Sequence, residues 1–362
     1  ESESRGLGDV YKRQVNKWLG RYFGSDEAVL LAVMIAAFVV LVATIGTFLG
    51  PVFTALIIAF LLQGVVNKLS HLGLSHRLSI VIAYLVFLFA LISTVMVLVP
   101  IVGRQLSLLL AEFPTILGKL QTLMIALPEQ YSDYITAEQF QILWVRASEE
   151  VAKLAEQILT FSLNSFPSLF GVGIYLLLVP VLVFFMLIDR ESLVKFVAEL
   201  LPRKRPVMSK IWVEMDSQFA NYIRGKAIEI IIIGVISYLI FLFLGLNYAA
   251  LLALSVGLSV LIPYIGATVV TFPVLLIAYI QWGYSSEFFW LFILYGAIQI
   301  FDGNILVPLL FSEVVNLHPI SIIIAVLLFG GIWGFWGVFF AIPLATLVKA
   351  IFNAWPETST NS

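Results

Sequence analysis

Apolar residues run through this 362-residue chain in long blocks, at about 28–46, 51–66, 78–102, 162–188, 227–245, 248–281, 287–310 and 318–350. Most suit one helical crossing of a bilayer, which takes about 20 apolar residues. The short alternating segments of a membrane β-barrel do not occur, so the pattern predicts helices. Two blocks are too long for one straight span, since 248–281 and 318–350 would each exceed about 45 Å at 1.5 Å per residue. Each has a breaker near its middle. In the first it is IPYIG, where Pro263 removes a backbone donor and Gly266 tolerates a turn; in the second it is GGIWGFWG, with Gly330, Gly331, Gly334 and Gly337. Both blocks are predicted to be broken helical hairpins, either re-entrant or made of two short crossings. The fold class expected is an all-α polytopic membrane protein with about eight transmembrane segments.

The polar residues between these runs orient the chain. Lys12, Lys17 and Arg21 precede the first span, Lys68 and Arg77 follow the second, and eight basic residues fall between Arg190 and Lys226. Basic residues mark cytoplasmic segments, so all three stretches are expected inside. The segment 103–161 holds four basic against seven acidic residues and is expected outside. No Lys or Arg occurs from 227 to 348, and Lys349 returns the C-terminus to the cytoplasm.

The resulting division is a leader (1–27), three membrane helices (28–102), an extracytoplasmic amphipathic helical segment (103–161) and a fourth membrane helix (162–188). A cytoplasmic basic amphipathic segment (189–226), a membrane bundle with the two broken hairpins (227–352) and a polar tail (353–362) follow. Within the leader, DVYKRQ at 9–14 resembles a translated transposon-adaptor end, and residues 1–14 are set aside as an expected artefact. In 103–161, Glu112, Glu149, Glu150 and Glu156 recur among apolar positions at helical spacing. In 189–226, Met208, Ile211, Met215, Phe219 and Tyr222 repeat every three or four residues, which predicts a helix lying in the membrane interface and leading into the fifth span.

Composition agrees with the pattern: 61% of residues are hydrophobic and 12% charged, and mean hydropathy is +1.05. A soluble domain carries about 25% charged residues. There is no cysteine, and His71, His76 and His318 form no ligand spacing, so neither a metal nor a cofactor is expected. No Walker loop, dinucleotide fingerprint, Ser-His-Asp arrangement or zincin signature is present, so the chain is not expected to be an enzyme. A nucleic-acid partner is not expected either. The partners expected are the lipid bilayer and a small hydrophilic solute or monovalent cation.

Several motifs stand in one order: VPVLVFFMLIDRESL (179–193), YIRGKAIEIIIIG (222–234), GLNYAALLALSVGLSVLIPYIGATVVTFP (245–273), QIFDGNILVPLL (299–310) and LHPISIIIAVLLFGGIWGFWGVFFAIPLA (317–345). Together they resemble the autoinducer-2 exporter (AI-2E) family of PerM-like permeases, over roughly residues 28–352. The resemblance implies a bacterial inner-membrane transporter of about eight membrane segments and suggests homo-oligomers. Members are described as exporters of the autoinducer-2 signal, as monovalent cation/proton antiporters, or as permeases without further assignment. Where this chain has Asp302, the family usually carries glutamate, a departure that bears on ion coupling. A non-transporting membrane scaffold is the other functional class.

Asp302 is the leading candidate for transport chemistry. A carboxylate inside a span costs several kcal/mol, so such groups face a bundle interior or a wet cavity and often mark ion or proton routes. Gln299 lies three residues earlier on the same helical face, and Asn304 and Pro308 follow, making a polar patch suited to a cation or a polyhydroxylated solute. The alternative is that Asp302, beside Gly303, caps a broken helix. Arg224 or Lys226 could pair with it from another segment.

Pro263, Tyr264 and Gly266 form the second candidate, because broken helices expose half-helix ends to solutes in secondary transporters. Glycine and proline there could equally serve packing. The same choice between gate and close helix contact applies to Gly330, Gly331, Gly334 and Gly337. Glu229, three residues past Lys226, is explained more cheaply by pairing or snorkelling than by proton relay.

Overall fold

Fourteen helices and two π-helical turns make up the described chain, and no strand occurs among the described residues. The computed structural model describes residues 26–46, 48–125, 145–146, 149, 153, 166–199, 201, 205–263, 265–311 and 317–354. In order, the first helices are α1 (Asp26–Ile45), α2 (Gly50–His71), α3 (His76–Ser93) and α4 (Val99–Ile125), then α5 (Phe166–Ile188), α6 (Arg190–Glu199) and α7 (Pro206–Leu244). After them come α8 (Ala249–Ser259), α9 (Ile265–Trp282), α10 (Ser286–Phe301), α11 (Val307–Phe311), α12 (Pro319–Trp333), α13 (Phe335–Phe339) and α14 (Ala341–Ala354).

Among the described residues, six stretches are long and apolar enough to cross a membrane: Glu27–Ile45, Gly50–His71, His76–Thr122, Pro206–Leu244, Ile265–Trp282 and Ser286–Phe311. A seventh arises if Gly173–Ile188 and Arg190–Glu199, bent by 80°, form one span. The fold is therefore all-α and polytopic, as the hydrophobic blocks predict. Both overlong blocks are broken at the expected places. The first splits into α8 and α9 around Pro263, and the second into α12, α13 and α14, with Gly334 at φ +59° between the first two.

Two expectations change. The third apolar block does not end as a helix at 102. A π-helical turn, Thr94–Leu98, joins α3 to α4, and the helix runs on to Ile125 through Pro114. The second π-helical turn, Asp302–Leu306, joins α10 to α11. Each turn ends two residues before a proline, Pro100 and Pro308, whose missing N–H disrupts the α-helical ladder and favours a local shift of register. The other change concerns 206–226, which is the first half of a single 39-residue helix, α7, rather than a separate interfacial one. Its apolar face is covered by protein: Met208, Ile211 and Met215 pack with Leu31 of α1 and Ala350 of α14. Glu27 accepts hydrogen bonds from the Val207 and Met208 amides at 2.9 and 3.1 Å, capping the α7 N-terminus with a negative charge.

The chain divides into two compact units. One holds the described residues of 1–61, 185–225 and 310–362, the other those of 62–184 and 226–309. In the first unit an aromatic cluster fills the second broken block: Phe53 meets Trp333 edge-on at 4.8 Å, Trp333 and Trp336 each stack on Phe340, and the Tyr222 hydroxyl donates to the Phe339 carbonyl at 2.7 Å. In the second unit α8 packs on α9, and α4 lies against both. Gly234 of α7 and Gly257 of α8 bring two backbones close together, the small-residue contact typical of membrane helices.

Candidate functional site

Three ionisable side chains of the second unit gather beside the break between α8 and α9. Lys226 and Glu229 stand one turn apart on α7, their Nζ and Oε2 atoms 2.7 Å from each other, with the side chains 5% and 2% exposed. Lys226 Nζ also donates to the Val260 carbonyl at 2.7 Å. Val260 is the C-cap of α8, so the cation sits at the half-helix end where backbone carbonyls lack helical partners and the dipole is negative. Asp302, the first residue of the second π-helical turn, interacts electrostatically with both Lys226 and Glu229. Its Oδ1 atom is buried and has no hydrogen-bond partner among the described residues.

With all three groups ionised the cluster carries one net negative charge. Two charges are neutralised by the ion pair and the third is left over. Buried ions cost several kcal/mol each unless they are paired and hydrogen-bonded, which makes the Asp302 carboxylate the member with most to gain from a proton or a cation.

The sequence candidates fall into separate places. Gln299, one turn before Asp302, is half-buried on the same helix. Asn304 is exposed, its amide donating to the Ile300 carbonyl at 3.0 Å, so it stands apart from the Asp302 cluster; Pro308 is also exposed. Pro263 is half-buried in the break, where its carbonyl accepts from the Ile265 amide at 2.7 Å. Gly266 faces the Ser259 carbonyl so closely that a Cβ would overlap it. Tyr264 lies outside the described residues.

Gly330, Gly331, Gly334 and Gly337 belong to the first unit. Gly337 packs against the Phe329 carbonyl with no room for a Cβ, and Gly330 meets the Val338 side chain, whereas Gly331 borders open space. For Gly330 and Gly337 close contact is what the geometry requires.

The sequence names Lys226 as a partner that Asp302 could find in another segment, and the two do interact; sequence reasoning did not reach the other long-range partners. The bond from Lys226 to Val260 crosses 34 positions. At the other end of α7, Gln281 accepts from the Asn247 amide and donates to the Gly245 carbonyl, both at 2.8 Å; Gln105 of α4 accepts from the Leu251 amide at 2.8 Å. Tyr248 donates to Glu112 at 2.7 Å. Partial burial and that carboxylate push the Tyr248 hydroxyl up to about 12, so it remains a donor throughout the neutral range. The polar residues on apolar helices were visible as types; of their pairings across loops, that of Lys226 with Asp302 was visible and the others were not.

A helical bundle with an embedded charge cluster at a broken helix invites comparison with known transporters. The family model described as AI-2E family transporter matches residues 29–357. The chain belongs to the AI-2E transporter family. Among similar AI-2E proteins is one named "Putative permease PerM" from Escherichia coli strain K12, 42% identical over 341 residues that cover 94% of this chain and 97% of the relative. "Putative transport protein YueF" of Bacillus subtilis strain 168 is 26% identical over 85% of this chain and 84% of its own length. A "Putative transport protein" from Archaeoglobus fulgidus is 25% identical over 90% and 94%. The family resemblance carried by the motifs is thereby established, and the AI-2E chain is a multi-pass membrane protein of a transport family.

Proposed function

We propose that this chain is a secondary transporter of the bacterial inner membrane that exports a small hydrophilic solute or signal, with Asp302 on the route and both termini in the cytoplasm. The observation that carries the reading is the buried cluster of Lys226, Glu229 and Asp302 at the broken α8–α9 junction. Charges are retained inside a membrane bundle where they contact a permeant species or its coupling ion. Half-helix ends supply unpaired backbone groups to the same end. The distribution of basic residues supports the orientation.

The second reading is monovalent cation/proton antiport. It draws support from the single uncompensated negative charge of the cluster and from the unpartnered Asp302 oxygen. A scaffold role has no need of either feature.

The test is flux in proteoliposomes loaded with a pH-sensitive dye, under an imposed pH gradient, with Na⁺, K⁺ or Li⁺ added to wild type, to Asp302→Asn and to empty vesicles. Proton movement on cation addition in wild type, lost in Asp302→Asn, would establish antiport with Asp302 as the coupling group. If no cation moves protons, solute export is measured with labelled polyols. Absence of any flux in both assays would refute transport and leave the scaffold.

A further inference from the structure

Asp302 is one end of a polar line on α10. Gln299 and Tyr295 precede it by three and seven residues, so the three occupy one face of the helix, extending about 10 Å along its axis. On α7, Lys226, Glu229, Ile233, Ser237 and Phe241 are spaced by three or four and share a face in the same way, every one of them buried. The two faces meet at two levels. Glu229 feels the charge of Asp302, and the Phe241 and Tyr295 rings lie 6.1 Å apart. Ser237, one turn before Phe241, lies between them near the middle of the apolar stretch 227–245.

The hydroxyl groups at this middle level are not satisfied by one another. Ser237 is 0% exposed, and its Oγ has no hydrogen-bond partner among the described residues. A helical serine ordinarily returns its proton to a carbonyl of the preceding turn, as Ser255 does to Leu251 at 2.8 Å. Tyr295 is 2% exposed, with its hydroxyl 3.1 Å from Thr271 Oγ1. The Thr271 proton is already given to the Ala267 carbonyl at 2.7 Å. The Tyr295–Thr271 bond must therefore use the Tyr295 proton, which leaves the Tyr295 oxygen as an open acceptor. An open donor on α7 and an open acceptor on α10 thus stand within about one helical turn of each other along the facing sides of the two helices. Leaving such groups dry costs about 1–3 kcal/mol each.

We propose that Ser237 and Tyr295 form a second station on the route, one that binds a hydroxyl group, with Ser237 donating to it and Tyr295 accepting from it. The hydroxyl belongs to water or to a small polyhydroxylated solute. The station lies about two helical turns from the charge cluster, and Gln299 stands in the interval on α10. This inference deepens the transport reading and rests on it for the direction of the route, but occupancy of the station is measured independently of flux.

The chain has no cysteine, so Ser237→Cys introduces one nearly isosteric thiol. Thiosulfonate reagents attack the thiolate, which forms only where water reaches the sulfur. In proteoliposomes the Ser237→Cys thiol should react with aminoethyl methanethiosulfonate at least about tenfold faster than the thiol of Val274→Cys, an equally buried apolar position on α9. If glycerol or erythritol slows the reaction, the station takes a solute hydroxyl. If they do not, it takes water. Equal rates at the two positions would overturn the proposal. Thiol reactivity in Thr271→Cys reads the same station should Ser237→Cys fail to insert, and there too a rate no faster than Val274→Cys overturns it. A protein with Asp302-dependent flux but an inert Ser237→Cys thiol would sink the station and keep the transport reading; a reactive thiol without any flux would do the opposite.

Discussion

Lys226 does two jobs at once, neutralising carboxylates and terminating α8, and this makes the three charged residues unequal. Replacing Lys226 by Met leaves Glu229 and Asp302 close together without a cation and leaves the Val260 carbonyl without this donor. Removing one member of a buried pair costs roughly 3–5 kcal/mol. Replacing Glu229 by Gln is milder, since Lys226 keeps Asp302 as a counter-charge. Thermal unfolding in detergent should therefore rank Lys226→Met well below Glu229→Gln. Adding Glu229→Gln to Lys226→Met should recover part of the loss; equal melting temperatures for the two single variants would contradict the unequal roles. At this scale the sequence is a partial guide. KAIE inside an apolar run announces an i,i+3 pair, and the structure forms it. A polar patch including Asn304 was expected, yet two residues of helix turn a side chain through about 200°, and Asn304 faces out and bonds its own helix.

Breaks between helices follow local chemistry and were legible at the level of elements. Pro263 and the glycines of 330–337 mark both interruptions, and each π-helical turn precedes a proline by the same interval. Less legible was which glycine is obligatory, because that depends on a backbone brought close by the fold. Gly266 faces the Ser259 carbonyl and Gly337 the Phe329 carbonyl, whereas Gly331 has free space. Overpacking typically costs about 1–3 kcal/mol, and a clash with backbone cannot be relieved by rotating a side chain. Gly266→Ala and Gly337→Ala should each lower the melting temperature markedly. Gly331→Ala should leave it unchanged or raise it slightly, since alanine is favoured over glycine in a helix by up to about 1 kcal/mol. A melting series in which all three behave alike would show that the two close contacts do not exist in the folded protein. The same series separates packing from gating: Gly331→Ala that keeps stability and loses flux would make that glycine a moving part.

Large side chains such as Phe243, Phe352 and Phe89 are 87%, 78% and 74% exposed, as suits helices that cross a membrane, so at the scale of the whole molecule the remaining question is which side each loop occupies. The basic residues predict an answer that the helices allow. Lys68 and Arg77 border the turn between α2 and α3, and Arg190 to Lys226 follow α5, all expected inside. On that rule the helix from α3 through α4 is expected to carry Ile125 outside. If the α8–α9 pair begins and ends on one face, the same rule predicts that α10 returns inward and that the α12–α14 block leaves Ala354 in the cytoplasm. Alkaline phosphatase fused after Ile125 should be active, because that enzyme matures only outside. Green fluorescent protein fused after Glu199 or after Ala354 should fluoresce, because it matures inside. A dark fusion after Ala354 with a fluorescent one after Glu199 would mean an odd number of crossings between them. It would require that one broken block, α8–α9 or α12–α14, crosses the membrane a net single time, and only in the first case would the setting of the half-helix ends beside Lys226 differ from the one the charge pattern assigns.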